Sequence, residues 1–335
     1  MINRTPQRKV VVTGAGGFIG HHLVTQLKQQ GFWVRGVDLK YPEYSPTDAD
    51  EFLIADLRRW DACLAATRDA EDVYALAADM GGMGFISAHH AEILHNNILI
   101  STHTMEAARQ NGVRRYLYTS SACIYPEYRQ TDTNVEPLKE EHAYPAQPQD
   151  AYGWEKLVTE RLCTHYAQDY GIDVRIVRFH NIFGPLGTWD GGREKAPAAL
   201  CRKVAVAKLT GKREIEIWGD GEQTRSFCYI DDCVKGLRLL MESGYQQPIN
   251  LGQDRLISIN ELADLVANAA GVDIGRKHIP GPQGVRGRNS NNDRLREVLG
   301  WEPEISLEEG MARTYAWIEA QVVERFDAEV TDAVA

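Results

Sequence analysis

The stretch Lys9-Val10-Val11-Val12-Thr13-Gly14-Ala15-Gly16-Gly17-Phe18-Ile19-Gly20 decides how this chain is read. Its β-branched run, Lys9–Thr13, suits a strand buried on both faces. Gly14, Gly17 and Gly20 follow at three-residue intervals, and the pattern from about Phe18 to Gln30 predicts a helix. A glycine-rich turn that leaves a strand and opens a helix is the context a dinucleotide-binding loop requires. Gly14 makes the turn and Gly17 lets the backbone approach a diphosphate. Gly20 belongs to the same fingerprint, and the helix start at Phe18 and Ile19 offers free N–H groups and a positive dipole. Asp38 ends the second predicted strand, 18 residues after Gly20. A carboxylate there accepts hydrogen bonds from ribose hydroxyls and repels a 2′-phosphate, which predicts NAD rather than NADP. Asp56, after the third strand, is a candidate for the adenine end of that cofactor, or else a solvated loop carboxylate.

Working outward, short apolar runs alternate with helical patterns. Strands are predicted at Lys9–Thr13, Trp33–Asp38, Glu51–Ala55, Asp72–Leu76, Tyr116–Ser120 and Val174–Phe179. Helices are predicted at about Phe18–Gln30, His89–Gln110 and Ala151–Asp169. This rhythm implies an α/β fold, a Rossmann-type doubly wound parallel sheet covered on both faces. It weakens after Phe179, where Gly184-Pro185, Gly187 and Gly191-Gly192 mark a loop-rich crossing. A helix at Pro197–Leu209 and a strand at Glu214–Trp218 read as a smaller unit, and Asp231–Met241 with Ile249–Leu251 as a return to the first. The expected division is a cofactor domain over 1–180 with returning segments at about 226–252. An interleaved, smaller substrate-binding domain takes 181–225 and 253–325, and an acidic, frayed tail takes 326–335.

The 335 residues carry a net charge of −10, a poor match to nucleic-acid phosphate. Six cysteines without a CxxC pair or zinc-ligand spacing argue against both a disulfide framework and a structural zinc site. No metal is expected, because His89, His90 and His95 lack the partner pattern of a helical metal site. The N-terminus is polar, no apolar run is long enough to span a membrane, and a cytoplasmic protein with free thiols is expected.

Tyr152 and Lys156 stand four apart on one face of a predicted helix. A nearby ammonium and a nicotinamide charge would lower the phenol's pKa from about 10 towards neutrality. The phenolate can then take a proton from a substrate hydroxyl as hydride leaves the same carbon. Ser120, Ser121 and Ala122 end the fifth strand, where open α/β sheets place ligand contacts, and Ser121 is the candidate to hold the reacting hydroxyl.

Together the glycine loop, these serines and Tyr152-Gly153-Trp154-Glu155-Lys156 resemble the extended short-chain dehydrogenase/reductases that act on nucleotide sugars. The likeness runs to about Gln321. Finer motifs narrow it: the segments 77–86, Ser120-Ser121-Ala122-Cys123-Ile124-Tyr125-Pro126, 179–185, Gly191-Gly192-Arg193-Glu194-Lys195-Ala196-Pro197 and 284–289. They resemble the sugar 3,5-epimerases of that family. The resemblance implies GDP-mannose as substrate, GDP-L-galactose as product, transient oxidation at carbon 4, a tightly bound and recycled NAD, and a homodimer built on the helices at His89–Gln110 and Ala151–Asp169. It also implies that Cys123 and Lys195 act as base and acid on opposite ring faces, in roles that either residue can take. Related 4,6-dehydratases have an Asp-Glu pair where this chain has Ala122-Cys123. By the same resemblance Lys203, Gln223, Arg225 and Arg288 bind substrate, the cations at its diphosphate, with Gly81, Asn181 and Glu194 nearer the sugar and Arg286 as a further candidate.

Two other readings stay open at this level. One is an epimerase-reductase for the GDP-4-keto-6-deoxy sugar, which pairs its Cys with a His and consumes NADPH. The other is a catalytically silent NAD-binding regulator on the same fold.

Overall fold

The computed structural model describes residues 7–334, with side chains to Asp327. The runs of valine become strands because both faces of the sheet are covered: Val10, Val11 and Val12 are all buried. In chain order the first half is β1 (Lys9–Thr13), α1 (Phe18–Gln29), β2 (Trp33–Asp38), β3 (Glu51–Ile54), α2 (Trp60–Thr67), β4 (Asp72–Ala75), α3 (Met83–Ile86), α4 (His90–Gln110), β5 (Arg115–Ser121), α5 (Ala151–Tyr170) and β6 (Asp173–Phe179). The second half is β7 (Ile182–Phe183), α6 (Ala196–Thr210), β8 (Glu214–Trp218), β9 (Thr224–Arg225), β10 (Cys228–Tyr229), α7 (Ile230–Glu242), β11 (Pro248–Leu251), β12 (Ile257–Ser258), α8 (Ile259–Ala270), β13 (Gly275–Ile279), β14 (Gly287–Arg288), α9 (Asp293–Leu299) and α10 (Leu307–Val334).

The central sheet has seven strands in the order β11-β6-β5-β4-β1-β2-β3, and every pairing is parallel. The chain winds outward from β1 in one direction and from β4 in the other, so the switch point lies between those two strands. Ligands in open α/β sheets sit at the carboxyl ends of the strands at such a point. β8 and β13 form a separate parallel pair, and β9 pairs with β12 and β14 in another small sheet. One apolar cluster runs from Val10 and Leu23 beneath the main sheet, through Leu237, to Leu262 and Ile318. α2 and α3 were not expected from the sequence. α10 continues to Val334 across the stretch expected to fray, and only Ala335 of that tail falls outside the described residues.

Candidate functional site

The glycine turn sits at the switch point. Gly14 has φ 72°, and a Cβ there would lie 2.9 Å from the Ala77 amide nitrogen just past β4. Gly20 packs so closely that a Cβ would overlap the Gly14 carbonyl. Gly17 differs: a Cβ would meet only that same carbonyl, at 3.3 Å, so its outer face is open. No side chain caps the start of α1 and no acidic residue lies in its first turn, which begins Phe18-Ile19. Open backbone, unclaimed helix amides and a local positive dipole are what a diphosphate needs. Asp38 accepts hydrogen bonds from the Gly16 amide at 2.9 Å and the Leu39 amide at 2.6 Å. Burial raises its pKa, while these amides and Lys40 act to lower it. The residues present fit an adenine dinucleotide with free ribose hydroxyls. Asp56 has a local partner: Arg58 grips both its oxygens, with Nη2 at 2.7 Å, and holds its pKa below the usual range.

Asp150 caps α5 through the Gly153 amide at 2.8 Å, and the next turn carries the tyrosine and lysine. Both side chains are buried. The Lys156 ammonium lies 5.5 Å from the Tyr152 ring centroid and 4.9 Å from that of Tyr118, with Glu155 Oε2 at 3.8 Å. Burial pushes the Tyr152 phenol well above its ordinary value. Cys123 and Glu155 push the same way, and a hydrogen bond with Ser121 opposes them. The lowered phenol expected from the sequence is therefore not produced by the chain's own groups. The largest cause is the burial that excludes water from the tyrosine.

Ser121 is the last residue of β5, and its Oγ accepts from the Cys123 amide at 3.2 Å, starting a tight turn. This turn aims Cys123 into the cleft while Ala122 packs inward. Cys123 is half-buried, whereas the other five cysteines are buried. Arg288 Nη1 donates to its Sγ at 3.2 Å. Lys195 stands at the start of α6, open to solvent yet set into the cleft. Protein around it lowers its pKa, and the fields of Cys123 and Cys233 act in the opposite sense. Arg225 lies within the reach of both Cys123 and Arg288. Burial, then the like charge of Arg288, pushes it down to about 9, still cationic at neutral pH. Its guanidinium donates to the carbonyls of Thr224 (2.7 Å), Val285 (2.7 Å) and Gln283 (3.1 Å).

The remaining candidates are spread over several segments, each with its own local partners. Asn181 has φ 44° and donates to the Ser226 carbonyl at 2.8 Å, a left-handed residue held at the end of β6. Glu194 is tied by Arg202 at 2.9 Å and by the Gly192 amide at 2.7 Å. Gly81 is buried, and a Cβ on it would press on Phe85 at 2.9 Å. Lys203 donates to the Glu216 carbonyl at 2.6 Å. Gln223 is buried, with Nε2 on the Trp218 carbonyl at 3.3 Å and Oε1 without a hydrogen-bond partner. A buried acceptor left open in a binding cleft is a natural place for a ligand donor. Asp220 engages both outer nitrogens of Arg286 at 2.8 Å. Sequence reading missed Gln130, whose partner Arg288 lies far away along the chain. No group of residues suited to holding a metal ion occurs among the described residues, and no helix among them is long and apolar enough to cross a membrane.

The chain matches the NAD dependent epimerase/dehydratase family over residues 10–252. It is 52% identical to a GDP-mannose 3,5-epimerase of Arabidopsis thaliana, across 94% of this chain and 83% of that protein. It is 51% identical to GDP-mannose 3,5-epimerase 1 of Oryza sativa subsp. indica, across 94% and 82% respectively. Among solved structures it resembles UDP-glucose 4-epimerase from Thermotoga maritima with UDP-glucose. That match has a TM-score of 0.83 at 27% identity, covering 94% of this chain and 99% of the other.

Proposed function

Because the chain belongs to the NAD-dependent epimerase/dehydratase family, we propose that it inverts carbons 3 and 5 of GDP-mannose to give GDP-L-galactose, with GDP-L-gulose arising when only carbon 5 inverts. The observation that carries this reading is the nearness of Cys123 to Lys195, which would serve as a second proton-transfer pair. Cys123 and Lys195 face one cleft beside Tyr152, with Arg225 and Arg288 around them. A 4-epimerase has no use for that pair.

Each step gives one of these residues a role its chemistry suits. Arg225, Arg288 and Lys203 offer charge to the diphosphate, and Arg suits bidentate phosphate oxygens. Ser121 holds the 4-hydroxyl and Tyr152 takes its proton. Bound NAD would supply the hydride acceptor at carbon 4 and positive ring charge beside the phenol. With carbon 4 a ketone, the C–H bonds at carbons 3 and 5 become acidic. Cys123 then removes a proton on one face and Lys195 returns one on the other. A lowered lysine pKa suits a group that must release a proton. Return of the hydride to the same carbon would leave bound NAD unconsumed.

The same reading assigns 181–225 and 253–325 to nucleotide-sugar binding. It makes the protein a homodimer through α4 and α5, where Trp154 and Val158 expose apolar surface. It places the chain in a reducing cytoplasm, consistent with its free thiols. Asp38 and Lys195 count against the NADPH-consuming epimerase-reductase.

The test is GDP-mannose in deuterated water, followed by NMR of the sugar protons. Tyr152→Phe should lose both inversion and deuterium uptake. Cys123→Ser should keep transient oxidation at carbon 4 but lose exchange at carbons 3 and 5 by roughly 10²–10⁴-fold. Lys195→Ala should block inversion and leave slow exchange. A Cys123→Ser enzyme that makes GDP-L-galactose at near wild-type rate would overturn the assignment.

A further inference from the structure

Gln130 lies outside every motif above and is almost completely buried, 1% exposed. Its carboxamide is used at both ends. Oε1 accepts from Arg288 Nε at 2.6 Å, and Nε2 donates to the carbonyls of Tyr125 at 3.0 Å and Pro126 at 3.2 Å. Donors on one side and carbonyls on the other fix which end is oxygen. Its own backbone carbonyl accepts from the amides of Arg286 at 2.9 Å and Gly287 at 3.2 Å, which lead into the β14 strand that carries Arg288. One residue therefore ties the segment after Cys123 to the strand of the arginine that touches the Cys123 sulfur.

We propose that Gln130 is a positioning residue that sets the Arg288 guanidinium against the sulfur of Cys123. The guanidinium is a planar fork, so fixing Nε fixes the direction of both outer nitrogens. Arg288 needs that hold, because Arg225 is close enough for the two like charges to oppose each other. With Nε on Gln130, Nη1 meets the sulfur and places positive charge where a proton-abstracting thiolate would bear its negative charge. Remove the acceptor and a buried N–H is left unpaired, so the guanidinium must turn to find another partner.

The inference rests on the role given to Cys123, so its test must stand apart from turnover. Cys123 is the one cysteine that is not buried, so alkylation by iodoacetamide, followed by mass spectrometry on the NAD-loaded enzyme at neutral pH, reads it selectively. Gln130→Met should slow alkylation about tenfold, the scale of a lost charge-assisted hydrogen bond. Arg288→Met should slow it at least as much. The double variant should be no slower than Arg288→Met alone, because the amide acts through the arginine. Solvent-deuterium exchange at carbons 3 and 5 should fall with alkylation, while transient oxidation at carbon 4 persists. If Gln130→Met does not fold, Gln130→Asn, one methylene short of Arg288, carries the same expectations. Unchanged alkylation in the single variant, or additive losses in the double, would overturn the proposal. A fully active Cys123→Ser enzyme would instead overturn the assignment of Cys123.

Discussion

The amide of Gly82 donates to the carbonyl of Arg193 at 3.0 Å, so the loop after β4 is fastened to the loop that presents Lys195. Arg193 strengthens the joint, lying 3.8 Å over the Phe85 ring and 3.2 Å from Asp79. A Cβ at position 82 would overlap the Glu194 carbonyl. Gly82→Ala should therefore displace Lys195 without touching the cofactor loop. Inversion of GDP-mannose should fall roughly 10²-fold, as for a displacement of about 1 Å at a reacting group, while NAD affinity stays the same. Rate by NMR and NAD affinity by titration check this. Wild-type inversion would mean that the two loops move independently.

Asp38 accepts the Gly16 amide of the glycine turn, and a ribose hydroxyl is its proposed second partner. Asp38→Ala should cut the preference for NAD over NADP by about tenfold or more, through loss of both the hydroxyl acceptor and the repulsive charge. Asp38→Asn keeps an acceptor for the Gly16 amide and should lose mainly the repulsion. The ratio of the two cofactor affinities is the measurement, and an unchanged ratio in Asp38→Ala would show that the carboxylate only shapes the turn.

Stability should depend on acid through His180. Burial first, then the cations Arg288 and Arg178, push this imidazole down to about 3, against its hydrogen bond with Asn250 at 3.0 Å. Unfolded, it titrates near 6.5. Above about pH 6.5 it is neutral in both states and contributes no pH dependence. Between pH 6.5 and 3 only the unfolded chain takes up its proton, so stability falls as pH falls. The loss from this group is about 2 kcal/mol by pH 5. His180→Asn should flatten the pH dependence of chemical denaturation by about one proton over that window, whatever its offset at pH 7. An identical slope in the variant would show that His180 is not the group responsible.

The half of the fold built on the central sheet was legible because its strands bury both faces and so read as continuous apolar runs, as Val10–Val12 do. The helix α2 was hidden because Trp60–Thr67 buries only Cys63, Ala66 and Thr67, too little for a clear apolar period. The pairing of Thr224–Arg225 with Gly287–Arg288 has no local signature, since two-residue strands far apart in sequence meet only in the folded chain. At the site, Tyr152, Lys156, Ser121 and Cys123 were legible from spacing and resemblance. The pairing of Arg286 with Asp220 was hidden because the two lie on different segments. Gln130 was invisible because the residue it serves is Arg288. The burial that raises the Tyr152 phenol was not legible, because sequence spacing reports a neighbouring lysine but not how deeply the tyrosine is sunk.

The last strand of the central sheet, β11, returns to the edge of β6 only after the chain has built α6, β8 and β9 outside that sheet. The segments proposed to bind the sugar are therefore not a detachable cassette. A chain cut after Phe179 would leave β6 with a bare hydrogen-bonding edge and the shared apolar cluster without Leu237, Leu262 and Ile318. Recombination between relatives cannot trade specificity by swapping a contiguous block here. New substrates have to be reached by exchanging individual side chains on an inherited frame, which is also the practical route for anyone redesigning this cleft.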